Sequence, residues 1–257
     1  MRTQHFLMSF ALLCASGTAA LAADIRVMTS GAFTAPYKEL VPIFERDTAH
    51  KVISAYGASL GGAPDSIPSR LARGEPVDIV IVSGPALDKL IAEGKVLPGS
   101  RVDLVRSAIG ASVRKGAPKP DISTVEALKK TLLSAKSVAY SASASGTYLS
   151  MELFPKLGIA EEMKVIGKRI ESERVGTVVA RGDAELGFQQ VSELIPIDGL
   201  DYIGPLPPEV QQVTLFSAGI AVGSKEPEAA KALIKFFTSA AAAPTIAKSG
   251  LEPVGAQ

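Results

Sequence analysis

Val77-Asp78-Ile79-Val80-Ile81-Val82-Ser83-Gly84-Pro85 decides the fold class of this chain. Val77 to Val82 is a short apolar run, the pattern of a strand buried on both faces of a parallel sheet. Within three residues the chemistry changes. Pro85 suits the first turn of a helix running through Ala92, and Gly94 ends it. The same strand-to-helix junction recurs in Val27-Met28-Thr29-Ser30-Gly31-Ala32, in Val52 through Ser59, and in Ser137 through Gly146. Helix N-termini present unpaired N–H groups and the positive end of a dipole. Small residues there let a ligand approach the backbone, so several junctions around one crevice make a receptor for an anion. The first reading is therefore a binder of a small anionic solute.

Outward from that stretch, strands and helices alternate. Strands are expected at Ile25–Thr29, Lys51–Ala55, Val138–Ser141, Val165–Ile170, Leu186–Val191 and Val213–Val222. Helices are expected at Tyr37–Thr48, Ile67–Arg73, Val125–Ser134, Thr147–Leu157 and Val175–Ala180, with a helical region from Pro227 to Lys248. Val102–Val113 reads as one extended stretch. Alternation of this kind argues for open α/β sheets with right-handed crossovers. Extended segments near Val102–Ser107 and Ile203–Leu215 divide the chain into two lobes, the second inserted in the first: 23–105 with 206–257, and 106–205.

The 257 residues suffice for a sizeable core, and a formal net charge of +1 with 21% charged residues gives no basic excess for nucleic acid. The N-terminus reads as a signal peptide over residues 1–22. Arg2 supplies the basic region, Phe6–Leu13 is apolar but too short to span a bilayer, and Ala20-Leu21-Ala22 fits the small-x-small cleavage rule. A secreted, periplasmic protein not embedded in the membrane is expected. Cleavage removes Cys14, the only cysteine, and His5, leaving His50 as the sole histidine, which reads as a solvated loop residue. Thiol catalysis, zinc sites built on Cys or paired His, and Ser-His-Asp triads lose their usual parts. No metal and no cofactor are expected.

The chain resembles the periplasmic molybdate-binding proteins, a branch of the extracytoplasmic solute-binding family. The likeness rests on Met28-Thr29-Ser30-Gly31-Ala32, on Leu71 through Ser83, on Ala180-Arg181-Gly182-Asp183-Ala184-Glu185-Leu186-Gly187-Phe188, and on Ala229 through Phe237. It implies a two-lobed periplasmic-binding-protein fold of type II, each lobe a mixed sheet flanked by helices, closing like a hinge. It also implies a monomer that delivers its anion to an ABC-type permease. Ser30 matches the family's serine after the first strand. Where the family has a tyrosine that helps hold molybdate, this chain has Gly187-Phe188-Gln189-Gln190-Val191-Ser192. A glutamine there suits a carboxylate or polar organic anion better than a bare tetrahedral oxyanion. Tyr140 through Gly146, Gly187 through Leu194 and Gly204-Pro205-Leu206-Pro207 resemble a divergent branch that contains a periplasmic aconitate isomerase, which makes that activity the alternative.

Candidate ligand-binding residues are Ser30, Gly31, Ser59, Gly61, Ser143, Ser145, Gly146, Ser172 and Gln190. Gln189 and Gln190 alternate faces on a strand, so one of them is expected to face the cleft, and Gln190 is placed there. A multiply charged carboxylate also calls for a cation, for which Arg106, Arg114, Lys168, Arg169 and Arg174 are candidates. An isomerase needs a base for an allylic proton. Tyr56, Tyr140, Glu171 and Glu173 are candidates, and the sequence does not choose among them.

Overall fold

The computed structural model describes residues 22–255; the expected signal peptide falls almost wholly outside them. In chain order the elements are β1 (Asp24–Thr29), α1 (Gly31–Thr48), β2 (Lys51–Tyr56), α2 (Ile67–Ala72), β3 (Ile79–Ser83), α3 (Gly84–Ala92), β4 (Val102–Ser107), β5 (Ile109–Arg114), α4 (Val125–Ser134), β6 (Val138–Ser141) and α5 (Ala144–Tyr148). A π-helical turn (Leu149–Leu153) leads into α6 (Phe154–Lys156), α7 (Ala160–Ile166), β7 (Gly167–Ile170), α8 (Val175–Ala180), β8 (Leu186–Gln190), α9 (Val191–Leu194), β9 (Leu200–Pro205), a 3₁₀ turn, β10 (Thr214–Ile220), α10 (Pro227–Phe237), α11 (Ala243–Lys248) and β11 (Glu252–Pro253).

Two mixed sheets organise these elements, with strand orders β11-β4-β10-β3-β1-β2 and β7-β6-β8-β5-β9. In the first, β1 pairs in parallel with β2 and β3, and β10 runs antiparallel to β3 and β4. The second repeats the scheme: β6 pairs in parallel with β7 and β8, and β5 runs antiparallel to β8 and β9. In each lobe the first parallel strand lies between the next two. The connections therefore leave it on opposite sides, opening a crevice at the carboxyl ends of the strands.

The opening stretch of sequence shows why each lobe has three layers. In β3, Ile79 and Ile81 enter the core shared with α1, α10 and α11, while Val80 and Val82 enter a second core with α2 and α3. Side chains alternate between the faces of a strand, and all four are fully buried. In the second lobe, Val138 and Leu186 pack with α4, α6 and α7, and Ala139 packs on the opposite face with α8.

The chain passes from β4 in one sheet to β5 in the other with only Ala108 between, and returns between β9 and β10. The single extended run expected at Val102–Val113 is thus two strands in different sheets. Two glutamines tie the crossings. Gln211 Oε1 accepts from Ile109 N at 2.9 Å and its Nε2 donates to the Ile109 carbonyl at 2.9 Å. Gln190, oriented with its nitrogen toward acceptors, donates to Ser107 Oγ at 2.7 Å and the Ala108 carbonyl at 3.2 Å, while its oxygen accepts from Thr214 Oγ1 at 3.3 Å.

Three local expectations need correction. Helix α1 begins at Gly31, six residues before Tyr37, and accommodates Pro36 within it. The segment expected to be extended from Val165 is helical through Ile166, in α7, whose first turn carries Glu161 and Glu162 at the positive end of the dipole. His50 is buried rather than solvated; its Nδ1 accepts from Ala23 N at 3.1 Å and its ring stacks on Phe44.

Candidate functional site

Between the lobes lies a cavity of about 350 Å³ whose walls come from both sheets. The first lobe contributes the start of α1, the loop after β2, and Phe216. The second contributes the loop from β6 into α5, residues Ile170–Arg174, and Gln189, Gln190 and Glu193. Ser30, Gly31, Ser59, Ser143, Ser145, Ser172 and Gln190 all lie on this wall; Gly61 and Gly146 do not. Gly146 is required by packing instead, since a Cβ there would collide with the Ser141 carbonyl. Gly61 has a φ of +97°, suited to glycine, and a Cβ on it would come within 3.7 Å of the Ala142 carbonyl in the other lobe.

The serines differ in what they leave available. Ser30 caps α1 with an extended backbone, and its own N–H donates to the Ile81 carbonyl at 2.8 Å. Its hydroxyl is buried and is the one such side-chain polar atom without a hydrogen-bond partner among the described residues. The N–H groups of Gly31 and Ala32 lie in the first turn and have no intrahelical acceptor. Ser59 is fully buried, and its oxygen accepts from Ser83 N at 3.0 Å, which leaves its O–H to donate. Ser141 and Ser145 lie hydroxyl to hydroxyl at 3.1 Å.

Among the expected cations only Arg174 lines the cavity. It forms no ion pair among the described residues, whereas Arg106 pairs with Glu252 and Arg169 with Glu171. A second cation, Lys38, escaped the sequence reading. It projects from α1 onto the cavity wall, its Nζ 5.3 Å from the centre of the Tyr56 ring, and it too has no carboxylate partner among the described residues. The cavity thus holds one uncommitted positive charge from each lobe.

Both glutamines of β8 are on the wall, where alternation predicted one. The amide of Gln190 reaches the interlobe crossings. That of Gln189 accepts from Val175 N at 3.0 Å and donates to Glu193 Oε1 at 2.9 Å. Glu193 was not among the expected site residues. Residues Val191–Leu194 turn β8 straight into α9, which swings this side chain back over Gln189 and against the start of α1. A Cβ on Gly31 would collide with Glu193 Oε1, so glycine at position 31 leaves room for the carboxyl. Burial pushes the Glu193 carboxyl up to about 7, an effect held back by the nearby Arg174 charge and by the Gln189 amide.

Of the other acids on the wall, Asp65 forms no ion pair among the described residues and lies in the loop between β2 and α2, and the two from the second lobe are committed. Glu171 pairs with Arg169 at 2.8 Å, and Glu173 is held by Arg181 in a forked pair at 2.8 and 2.9 Å. Tyr140 packs edge-on against Phe154 and is not on the cavity wall.

The lobes also meet behind the cavity. Pro36 has no N–H to donate to the Ala32 carbonyl one turn earlier in α1. That carbonyl accepts instead from the Ser192 hydroxyl of α9 at 2.7 Å.

This pair of sheets around an anion-ready crevice has relatives. The sequence profile described as "Bacterial extracellular solute-binding protein" matches residues 25–252. The chain belongs to that family. This solute-binding protein is 48% identical over 251 residues, 96% of its length and 95% of the relative's, to a protein from Pseudomonas sp named aconitate isomerase. It is 30% identical over 227 residues, 85% of its length and 86% of the relative's, to the molybdate-binding protein ModA of Azotobacter vinelandii. A solved periplasmic molybdate-binding protein of Azotobacter vinelandii superposes with a TM-score of 0.68 at 20% identity, covering 88% of this chain and 98% of that one, and shares the two-lobed fold.

Proposed function

We propose that this chain is an isomerase that holds aconitate, a tricarboxylate, in the interlobe cavity and interconverts its cis and trans forms. The observation that carries the reading is the pair of uncommitted cations, Lys38 and Arg174, supplied by opposite lobes to a cavity that also receives the first turn of α1. Three carboxylates spread along a carbon chain need separate anion contacts. A guanidinium fork, an ammonium and a helix N-terminus are three such contacts of different geometry. The aconitate isomerase relative, alike over nearly the whole chain, supports the same substrate.

The chemistry is a proton shift across three carbons. A base removes a proton from the methylene carbon, and the negative charge spreads onto the adjacent carboxylates. The proton returns at the former vinylic carbon, so the C=C bond has crossed the central carbon and the connectivity is unchanged. The conformation in which the methylene arm is held decides which isomer emerges. Unpaired N–H groups of α1 and the Arg174 guanidinium stabilise the charge as it develops. The test is direct: incubate purified protein with trans-aconitate and follow the cis isomer by NMR. Failure to interconvert the isomers at any protein concentration tried would exclude the enzyme.

The second reading is a periplasmic, monomeric receptor that hands an organic anion to an ABC permease. Family membership and the glutamine-tied crossings favour it, since a hinge serves capture and release. It predicts a thermal shift with aconitate, citrate, molybdate or tungstate and no interconversion. A ligand at about a hundred times its Kd adds roughly 2.7 kcal/mol. The signal peptide expected over residues 1–22 fits either reading.

A further inference from the structure

The carboxyl of Glu193 is the one cavity acid that combines a position against the anion-binding turn of α1 with no arginine or lysine ion pair at its oxygens among the described residues. We propose that Glu193 is the group that takes the proton from the methylene carbon of the substrate and returns it to the former vinylic carbon. The inference rests on the isomerase reading.

Geometry supports it in three ways. Glu193 Oε1 is held at 2.9 Å by the Gln189 amide, which is itself fixed by Val175 N, so the carboxyl is tethered through one oxygen. Gly31 has no side chain where that oxygen lies, so the carboxyl shares the space beside Ser30 in which an anionic group would be received. Ser192, the preceding residue, is bonded to α1, which fixes the distance between the acid and the anion-binding turn. The competing acids Glu171 and Glu173 are poor bases because their charges are already paired with Arg169 and Arg181.

The step balances without any other reactant. The methylene C–H bond breaks and its proton joins a Glu193 oxygen. The electron pair becomes the new C=C bond to the central carbon, and the old π pair moves to the former vinylic carbon. That carbon takes the proton back and the carboxylate is regenerated. Nothing is oxidised or reduced. A carboxyl held near 7 has both forms available at neutral pH, as a group that must accept and return one proton requires. The charged or titratable side chains sharing the cavity are Lys38, Tyr56, Asp65, Glu171, Glu173 and Arg174.

The experiment runs wild type, Glu193→Gln and Glu193→Asp with trans-aconitate in D₂O. It follows the isomers and deuterium incorporation by NMR, and the aconitate-induced thermal shift alongside. The expected result is that E193Q still melts cooperatively and keeps its aconitate-induced shift, and loses turnover and deuterium incorporation together by roughly 10²- to 10⁴-fold. E193D, an acid set back by one methylene, should retain a measurable fraction of both. The acid limb of kcat/KM near pH 7 in the wild type should vanish from the residual E193Q rate. An E193Q variant turning over like wild type overturns the role of Glu193 and leaves the isomerase reading standing; should E193Q fail to fold, an E193D rate equal to wild type does the same. Wild-type deuterium exchange without the second isomer, abolished in E193Q, supports the proton transfer and sinks the isomerase. Absence of both exchange and turnover in the wild type overturns both.

Discussion

The two lobes share one strand plan and use it differently. In the first, the helix after the leading strand is α1, 18 residues long, with an unpartnered serine hydroxyl at its start. In the second, the corresponding helix is α5, five residues running into a π-helical turn, and its hydroxyls at Ser141 and Ser145 face each other. A long helix concentrates a dipole and free N–H groups at its N-terminus, and a short one offers less. The second lobe adds Arg174 on the approach to α8 and the buried acid Glu193 on α9, where the first lobe adds the exposed Lys38. On the proposed reading, the first lobe receives negative charge, and the second binds it and moves the proton. Topological repetition does not repeat chemistry.

This division of labour can be broken at several points. After Glu193 itself, the largest effect is expected from Gly31→Ala, which puts a methyl group where the Glu193 carboxyl lies. Turnover should fall by about 100-fold, the scale of a displacement near 1 Å, while aconitate binding falls far less. Equal losses in both would mean that position 31 serves only as a cradle. Arg174→Ala should weaken aconitate binding by roughly 10- to 100-fold, measured by calorimetry, because a charge-assisted bond is lost. Lys38→Ala should cost less, since Lys38 is an exposed point charge resting on Tyr56. The reverse order would move the charge-binding role to the first lobe.

The pH dependence sharpens the comparison in the second lobe alone. The folded Glu193 carboxyl titrates near 7, above the ordinary carboxylate range, so between about pH 4.5 and 7 the folded state holds a proton that the unfolded state has released. The stability this contributes is present below that window and is lost as pH rises through 7. Denaturant melts of wild type against E193Q should therefore diverge by about 2 kcal/mol between pH 5 and 8, with the wild type the one that weakens. The smallest effects separate two serines of the first lobe. Ser30→Ala removes an orphaned hydroxyl and should leave stability unchanged while weakening binding about threefold to tenfold. Ser59→Ala breaks the bond to Ser83 N and should cost about 1 kcal/mol of stability.

Much of this was legible in the sequence where local chemistry decides structure. Helices α4 and α8 and strand β6 begin and end where caps and apolar spacing put them; Thr124 accepts from Ala127 N at the start of α4 as an N-cap should. Most of the small polar residues at strand ends reach the cavity wall. Legibility failed where tertiary contacts override local signals. The first turns of α1, before the expected start at Tyr37, were missed, and Lys38, though inside the expected helix, gave no local sign that it faces the cavity. Val165 and Ile166 carry strand propensity yet finish a helix. Ala108 itself gives no sign that the chain changes sheets there, although the extended segment at Val102–Ser107 was expected to lead from one lobe to the other. Glu193 was hidden because its position depends on a strand running into a helical turn without an intervening loop, and the nearest sequence signal is the four-residue spacing from Gln189.

The proline in α1 has a consequence beyond its own helix. By leaving one carbonyl idle, Pro36 creates a socket that a hydroxyl from the facing half of the molecule fills. The residue after that hydroxyl is Glu193. The bond that joins the two halves there thus sits one peptide unit from the acid, so a flaw in one helix helps to seat a side chain carried by another.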